Sequence, residues 1–182
     1  MSSEATVGVP ADPPRAADGF DAFYRAMAPR LVVLGRAITG STAVAEEVAQ
    51  EALFVAHRRW TKVATLDRPD LWVRRVAANR CISIWRRRAV EHRANQRYER
   101  SAGTAVPDPA AELGDDALWA EVRRLPQRQA AALTMHYVDQ LTTAEIAAVL
   151  GCRSSTVQTH LARGRATLAE RLSAHEEDPR RG

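Results

Sequence analysis

The chain has 182 residues, a length that suits one medium-sized hydrophobic core or two small ones. Apolar residues make up 46% and charged residues 26% of the sequence, which is typical of a globular protein and excludes a largely disordered one. The net charge is only +4, but arginines crowd residues 74–88 while Glu46, Glu47 and Glu51 crowd another segment. A polyanion and a basic protein are therefore both candidate partners.

Several classes of function are excluded by what the sequence lacks. No apolar run approaches the roughly 20 residues that span a bilayer, so we expect no membrane insertion. Residues 1–17 have no basic start followed by an apolar stretch, so they do not form a secretory signal. We therefore expect a disordered tail and a cytoplasmic protein. Cys81 and Cys152 lie far apart, without ligand-spaced partners, and are expected to be plain apolar residues. We expect no metal, no cofactor, no catalytic residue and no enzymatic activity.

The N-terminal part reads as three helices. Asp18 is placed to cap the first helix, which Pro29 restarts or kinks and Gly40 ends. Ser41 is placed to cap the second, whose apolar stripe runs to Trp60. Residues 61–69 are predicted to be a loop. Asp70 then opens a third helix, from Leu71 to about Arg88, whose apolar residues lie on more than one side.

The C-terminal part begins after a stretch with linker chemistry, because residues 91–114 lose periodicity and collect glycine and proline. Helices are predicted on both sides of Pro126, followed by a helical pair broken at Gly151. Thr142 and Glu145 have capping-box spacing at the start of that pair. The predicted fold class is all-α: two small helical domains joined by a flexible linker, the second with a helix-turn-helix. The predicted boundaries are 1–17 (tail), 18–90 (first domain), 91–114 (linker), 115–174 (second domain) and 175–182 (mobile tail).

The last helix of the pair has a packing side and an outward side. At about 100° per residue, Val157, Leu161, Gly164 and Leu168 form one stripe that must face a neighbouring helix. Outward polar side chains of this kind reach base edges in a major groove, and arginines meet phosphates, although a plain helical hairpin with a solvated face fits the same pattern. The candidate residues for contact with duplex DNA are Arg153, Ser155, Thr156, Gln158, Thr159, Arg163 and Arg165.

Two parts of the chain resemble one known family. "RRLPQRQAAALTMHYVDQLTTAEIAAVLGCRSSTVQTHLARGRATL" is similar to the C-terminal promoter-reading domain of the extracytoplasmic-function (ECF) sigma factors. "FYRAMAPRLVVLGRAITGSTAVAEEVAQEALFVAHRRW" and "LWVRRVAANRCISIWRRR" resemble their N-terminal domain. The resemblance covers about residues 20–88 and 115–172, and it implies a factor that directs RNA polymerase to promoters, recognising upstream and minus-ten elements and assisting melting. The alternative is a LuxR-like regulator, which "TVQTH" also resembles and which strands before residue 115 would favour.

The resemblance implies specific partners and sites. The partners are RNA polymerase core enzyme, promoter DNA and, for members that have one, a cognate anti-sigma factor. The second helix of this family docks on the polymerase through an acidic and amide face, although glutamates there also complement the helix dipole. The corresponding polymerase-binding residues here are Glu46, Glu47, Gln50 and Glu51.

The third helix of the family captures the nontemplate strand of the minus-ten element. The corresponding residues here are spaced by four, three and four positions and therefore form one strip along the helix, which we call the minus-ten strip: Arg75, Asn79, Ile82 and Arg86. The alternative is that these residues form a basic helix face that contacts only solvent. In this family, the loop that corresponds to residues 61–69 here holds a promoter base that is flipped out of the DNA helix. Tryptophans at helical spacing are more often core residues, and we expect this of Trp60, Trp72 and Trp85.

The sequence also departs from the family. Its usual Ser-x-Gly-Thr-Val-Lys-Ser-Arg segment is replaced by residues 153–160, which removes the usual cap and two basic contacts. We expect Ser154 to take over the cap and the bases read to differ from the typical ones. For His160 we expect packing, and a phosphate contact or a pH-dependent contact are the alternatives.

Overall fold

The computed structural model describes residues 19–98 and 117–176, with side chains at 19–87 and 118–173. In these ranges the regular secondary structure is entirely α-helical, as predicted. The helices are α1 (Gly19–Thr39), α2 (Thr42–Arg58), α3 (Trp60–Val63), α4 (Pro69–Tyr98), α5 (Ala117–Arg123), α6 (Gln127–Tyr137), α7 (Thr143–Leu150) and α8 (Ser154–Glu176). None of the described helices combines the length and apolar character needed to cross a membrane.

The junction between α1 and α2 follows the local sequence. Gly40 has a φ of 74°, a left-handed conformation that glycine adopts without steric cost, and its N–H bonds back to Arg36. The Ser41 side chain accepts a hydrogen bond from the Val44 N–H, so the predicted cap of α2 is confirmed. The predicted Asp18 cap lies outside the described residues, and α1 runs through Pro29 as one helix.

Two predicted boundaries in the N-terminal half are wrong. Residues 60–63 form the short helix α3, so the predicted loop shrinks to the turn at residues 64–68, and Pro69 opens α4. Proline suits a first helical position because the N–H that it lacks would be unpaired there. Helix α4 also extends past Arg88 to Tyr98, into the predicted linker. Residues 89–98 lose apolar periodicity, but they contain good helix formers and no glycine or proline.

The helix-turn-helix has the predicted geometry. Thr142 and Glu145 exchange side-chain-to-backbone hydrogen bonds in a capping box at the start of α7. Gly151 ends α7 with a φ of 62° and a ψ of 44°. Helix α8 starts at Ser154, so the cap position falls on Arg153, whose carbonyl accepts bonds from Thr156 and Val157. The prediction that Ser154 is the cap is therefore wrong by one residue.

The two halves of the chain, α1–α4 and α5–α8, share one hydrophobic core. Helix α6 packs on α1, and α7 packs on α4. The buried cluster is continuous from Phe23 and Leu31 in α1 through Val73 in α4 to Ile146 and Val149 in α7. The sequence predicted two domains but contained no indication that they would be packed against each other.

Candidate protein- and nucleic-acid-binding surfaces

The first candidate surface is the acidic face of α2, which consists of Glu46, Glu47, Gln50 and Glu51. All four residues are exposed, while the opposite side of α2 is buried against α1 and α4. The face follows from the sequence because Val48, Ala49 and Ala52 take the core positions between the polar residues. Only Glu51 of the four has an ion pair among the described contacts, with Arg80 at 2.9 Å on the solvent-exposed surface.

A shallow groove of about 590 Å³ lies beside the acidic face. Glu47, Gln50 and Glu51 line one part of it, and the rest is lined by residues of α1 and α2 that are mostly aromatic: Phe20, Asp21, Tyr24, Leu53, Phe54 and His57. Phe54 is 60% exposed and Tyr24 is 42% exposed, which is unusual for side chains of this size. Sequence reasoning missed this groove, because it did not consider the aromatic residues of α1 and α2 as surface residues. The available signal was Phe54, which lies seven residues after Glu47 and so on the same face of α2.

The second candidate surface is the minus-ten strip on α4, defined above as Arg75, Asn79, Ile82 and Arg86. Arg75, Asn79 and Arg86 are exposed and lie on one side of the helix. Ile82 is only 7% exposed and belongs to the core, so its prediction as a DNA-contacting residue is not supported by its position. Ile82 lies about 20° from Arg75 around the helix, toward the buried side of α4, and an apolar side chain at that position packs into the core.

The residue next to the strip, Arg74, is almost completely buried. Its guanidinium donates from Nε to Asp139 at 3.0 Å and from Nη1 to Asp70 at 2.9 Å. Asp70 and Asp139 are themselves buried. Both carboxylates are needed here because a buried charge without partners is very costly. Sequence reasoning grouped Arg74 with the exposed arginines of α4, and no local pattern distinguishes it from Arg75.

The turn before α4 carries a related cluster. Arg68 forms a two-pronged contact with Asp70, at 2.9 and 3.0 Å, and its Nη1 bonds to Glu145 of α7. The hydrogen bond with Asp70 raises the pKa of Arg68, against the opposing effect of burial, and Glu145 adds to the rise. Burial by itself would raise the pKa of Glu145, but the bonds from Thr142 and Arg68 lower it below its usual value. Both groups are therefore charged near neutral pH.

The third candidate surface is the outward side of α8, which we call the reading face. The predicted packing stripe is largely confirmed, since Val157, Leu161 and Gly164 are buried and Leu168 is half-buried. A Cβ at Gly164 would lie 2.8 Å from Leu133 Cδ1, so a side chain at this position would force the end of the Leu133 side chain to move. Thr156 is half-buried, and the remaining predicted contact residues are exposed: Arg153, Ser155, Gln158, Thr159, Arg163 and Arg165.

His160 lies at the edge of the reading face. It is half-buried, and burial lowers its pKa, with further lowering by the charges of Arg128 and Arg163. The imidazole is therefore neutral at physiological pH. Arg128 itself donates to the Leu150 carbonyl at 3.1 Å, at the end of α7, where a positive charge complements the helix dipole.

The tryptophans and cysteines mostly follow expectation. Trp60 packs against Phe20 and Phe23, with ring centroids 5.3 and 5.0 Å apart, and Trp72 packs partly against the core. Trp85 is 38% exposed, so its prediction as a core residue is wrong. Burial raises the pKa of Cys81 to about 12, which makes its thiol unreactive. Over the part of the chain that the structure describes, no group of His, Cys, Asp and Glu residues could hold a metal ion.

Comparison with known proteins places both halves in one family. Residues 23–91 match sigma-70 region 2, and residues 115–168 match sigma-70 region 4. The RNA polymerase sigma-E factor of Streptomyces antibioticus is 30% identical over 137 residues, covering 75% of this chain and 74% of the relative. That of Streptomyces avermitilis is 28% identical over 162 residues, covering 88% and 89%.

A solved structure is similar across both halves. The sigma factor RpoE of Bartonella quintana, in complex with the anti-sigma factor NepR, superposes with a TM-score of 0.68 at 19% identity. The match covers 85% of this chain and 96% of that one, and it supports the fold. The LuxR-like alternative finds no support, because the described residues before 115 form helices where that reading requires strands. The chain therefore belongs to the ECF family of RNA polymerase sigma factors, DNA-binding proteins that initiate transcription.

Proposed function

We propose that the three surfaces divide the work of a sigma factor. The acidic face of α2 binds the polymerase core enzyme, the exposed part of the minus-ten strip captures the nontemplate strand, and the reading face of α8 recognises the upstream element. Polymerase binding and minus-ten recognition belong to the domain predicted at residues 18–90. Recognition of the upstream element belongs to the domain predicted at residues 115–174. The observation that carries the proposal is the presence in one chain of an unoccupied acidic and aromatic face on α2 and an exposed polar face on a helix-turn-helix.

The groove adds apolar contact to the polymerase-binding face. Charged rims steer association and set specificity, while exposed aromatic side chains supply most of the affinity of a typical interface. Phe54 and Tyr24 are suitable anchors, because both are substantially exposed and both line the groove beside Glu47 and Gln50. The partner surface that fits is a basic one with an apolar ridge.

The minus-ten function is assigned to Arg75, Asn79 and Arg86, without Ile82. Arginines neutralise phosphates, and an amide can hydrogen-bond to a base edge that is exposed once the strands separate. The flipped base is assigned to the exposed part of the turn between α3 and α4, residues 65–67, because Arg68 is engaged by Asp70 and Glu145.

Core binding followed by run-off transcription tests the proposal. The purified chain should co-elute with polymerase core enzyme and direct transcripts from a discrete set of sites in genomic DNA, whereas core enzyme alone should not. Failure to co-elute would contradict the proposal, as would transcription whose start sites do not change when the chain is added.

We also propose an anti-sigma factor as a partner, because the similar solved structure contains one. A protein that binds the chain stoichiometrically should suppress run-off transcription in proportion to its concentration. If a stoichiometric binding protein leaves transcription unchanged, it is not an anti-sigma factor.

A further inference from the structure

His160 lies on α8 between the reading face and the contact with α6. At about 100° per residue, Arg163 is about 60° from His160 on the side of the reading face, and Gly164 is about 40° from it on the other side. A Cβ at Gly164 would lie 3.6 Å from the Cβ of Gln129, near the start of α6. His160 is half-buried and Arg163 is exposed. The backbone of a duplex lying on the reading face would therefore pass close to the imidazole and to the start of α6.

Two arginines lie near His160, one on its own helix and one on α6. Arg163 follows His160 by three positions, so the two side chains are neighbours on the surface of α8. Arg128 belongs to the first turn of α6, and its Nη1 donates to the Leu150 carbonyl at 3.1 Å. The charges of both arginines act on the imidazole. Three basic side chains from two helices are thus gathered at one edge of the reading face.

The carboxylates of the helices that pack on α8 are engaged elsewhere. These helices are α5, α6 and α7, and α6 contains no acidic residue. Glu145, in the first turn of α7, bonds to Arg68. Glu121 of α5 bonds to Arg171, eleven positions after His160. The charged groups that act on the imidazole are therefore cations.

This environment keeps the imidazole neutral in the free chain. Burial lowers the pKa of His160, and the positive charges of Arg128 and Arg163 lower it further. An anion bound between these side chains would act in the opposite direction, because an opposite charge at about 4–6 Å shifts a pKa by about 1–3 units toward the charged form. The cluster is therefore suited to bind an anion and to change its own protonation when it does so.

We propose that Arg128, His160 and Arg163 form a binding site for one phosphate of the DNA backbone, and that DNA binding at this site transfers a proton from solvent to His160. A protonated imidazole donates from both ring nitrogens, whereas a neutral one donates from a single nitrogen. The phosphate thereby gains a charge-assisted hydrogen bond in addition to its contacts with the arginines. The ligand is a phosphodiester, whatever the bases attached to it. The role of DNA in this inference rests on the proposed upstream function of α8.

The proton gives DNA binding a defined dependence on pH. The pKa of His160 is lower in the free chain than in the complex, so the complex holds more protons and is favoured as the pH falls. Affinity should rise as the pH falls through the pKa of the complex and level off below the pKa of the free chain. A difference of one unit corresponds to a tenfold change, so we expect about tenfold tighter binding at about pH 5 than at about pH 8.

Two measurements on the full chain test the site, with a short duplex of arbitrary sequence at low salt as the probe. Nuclear magnetic resonance of the imidazole protons gives the pKa of His160 with and without the duplex. Fluorescence anisotropy gives the affinity between about pH 8 and pH 5, and circular dichroism shows whether helical content is retained at each pH.

Three variants isolate the contribution of His160. His160→Gln stays neutral at every pH but can still donate a hydrogen bond, and His160→Arg stays charged at every pH. His175→Gln is the matched control, because it removes another histidine of the same helix, about 22 Å further along its axis.

The site predicts that the duplex raises the pKa of His160 by about one unit or more. His160→Gln should lose the gain in affinity at low pH, whereas His175→Gln should keep it. His160→Arg should bind at about pH 8 as tightly as the wild type does at about pH 5. A histidine that only packs would keep its pKa when DNA binds. An unchanged pKa in the presence of bound duplex would therefore overturn the site, and so would a gain that survives in His160→Gln.

The outcomes also separate the site from the proposed function. If the pKa of His160 does not respond to the duplex while the wild type directs transcription with core enzyme, only the phosphate site fails. If the duplex raises the pKa but the chain does not bind core enzyme, the phosphate site remains and the proposed sigma function fails.

Discussion

The acidic face of α2 and the start of α4 carry opposite charges, and they differ in what already lies against them. On α2 the glutamates face solvent, and among their described contacts there is one ion pair, between Glu51 and Arg80 at the surface. On α4 the arginines differ from one position to the next, since Arg74 is buried between two carboxylates and Arg75 is exposed. A charged segment is therefore available to bind a partner only where the fold supplies no internal one.

Charge reversal on α2 tests the unoccupied side of this comparison and should have the largest effect. The double substitution Glu47→Lys and Glu51→Lys should abolish binding to polymerase core enzyme, because like charges would then meet across the interface at a cost of several kcal/mol. Co-elution with core enzyme is the measurement, with circular dichroism to show that helical content is retained. Glu170→Lys is the control and should bind as wild type does. Retained binding by the double variant would show that the partner lies elsewhere.

The two neighbouring arginines of α4 provide the sharpest form of the comparison. Arg74→Ala removes the main partner of buried Asp139 and one of the two arginines bonded to Asp70, so it should lower the free energy of unfolding by about 3 kcal/mol. Arg75→Ala should change it by no more than about 0.5 kcal/mol, because that side chain is exposed. Urea unfolding followed by circular dichroism measures both. Equal midpoints for the two variants would contradict the burial of Arg74.

Within the minus-ten strip, substitution of Asn79 tests strand capture and substitution of Ile82 tests packing. Asn79→Ala should slow open-complex formation on a duplex promoter about tenfold, the equivalent of one lost hydrogen bond of about 1.4 kcal/mol, and much less on a template with a pre-melted minus-ten region. Ile82→Ala should instead lower stability and affect both templates equally, because Ile82 lies in the core. Equal losses for Asn79→Ala on both templates would exclude a role in strand capture.

The reading face of α8 is a second exposed surface, and we expect substitutions on it to have the smallest effects of those considered. The Thr159 hydroxyl already donates to the Ser155 carbonyl at 3.0 Å, so it can only accept from a base, such as the amino group of adenine or cytosine. Ser155→Ala and Thr159→Ala should each shift the preferred base at particular upstream positions, by about 1–3 kcal/mol. Promoters selected from a library randomised at the upstream element provide the measurement.

Two variants of α8 control this experiment. Arg163→Ala should weaken binding to all sequences alike and reduce its salt dependence, because phosphate contacts carry no base information. Val157→Ser should loosen the C-terminal half itself, because Val157 is completely buried. If the wild type, Ser155→Ala and Thr159→Ala select the same promoters, these two residues do not read bases.

The sequence by itself determined the helix boundaries that depend on local chemistry. Gly40, Ser41, Thr142 and Gly151 act on backbone groups within a few residues of themselves, so their effects can be predicted without knowing the fold. The same holds for the buried stripe of α8, since helical periodicity places Val157 and Leu161 on one side. The continuation of α4 to Tyr98 was missed because lost apolar periodicity was mistaken for a helix end.

Only the tertiary structure decided which polar residues are available. Arg74 is buried because Asp139, 65 residues away, lies against it, and Ile82 packs inward because the core reaches the edge of the strip. The groove beside the acidic face likewise needs Tyr24 from α1 and Phe54 from α2 at the same place. Helical periodicity can predict which side of one helix is buried, but it does not show which distant segment packs there or which polar residues that segment covers.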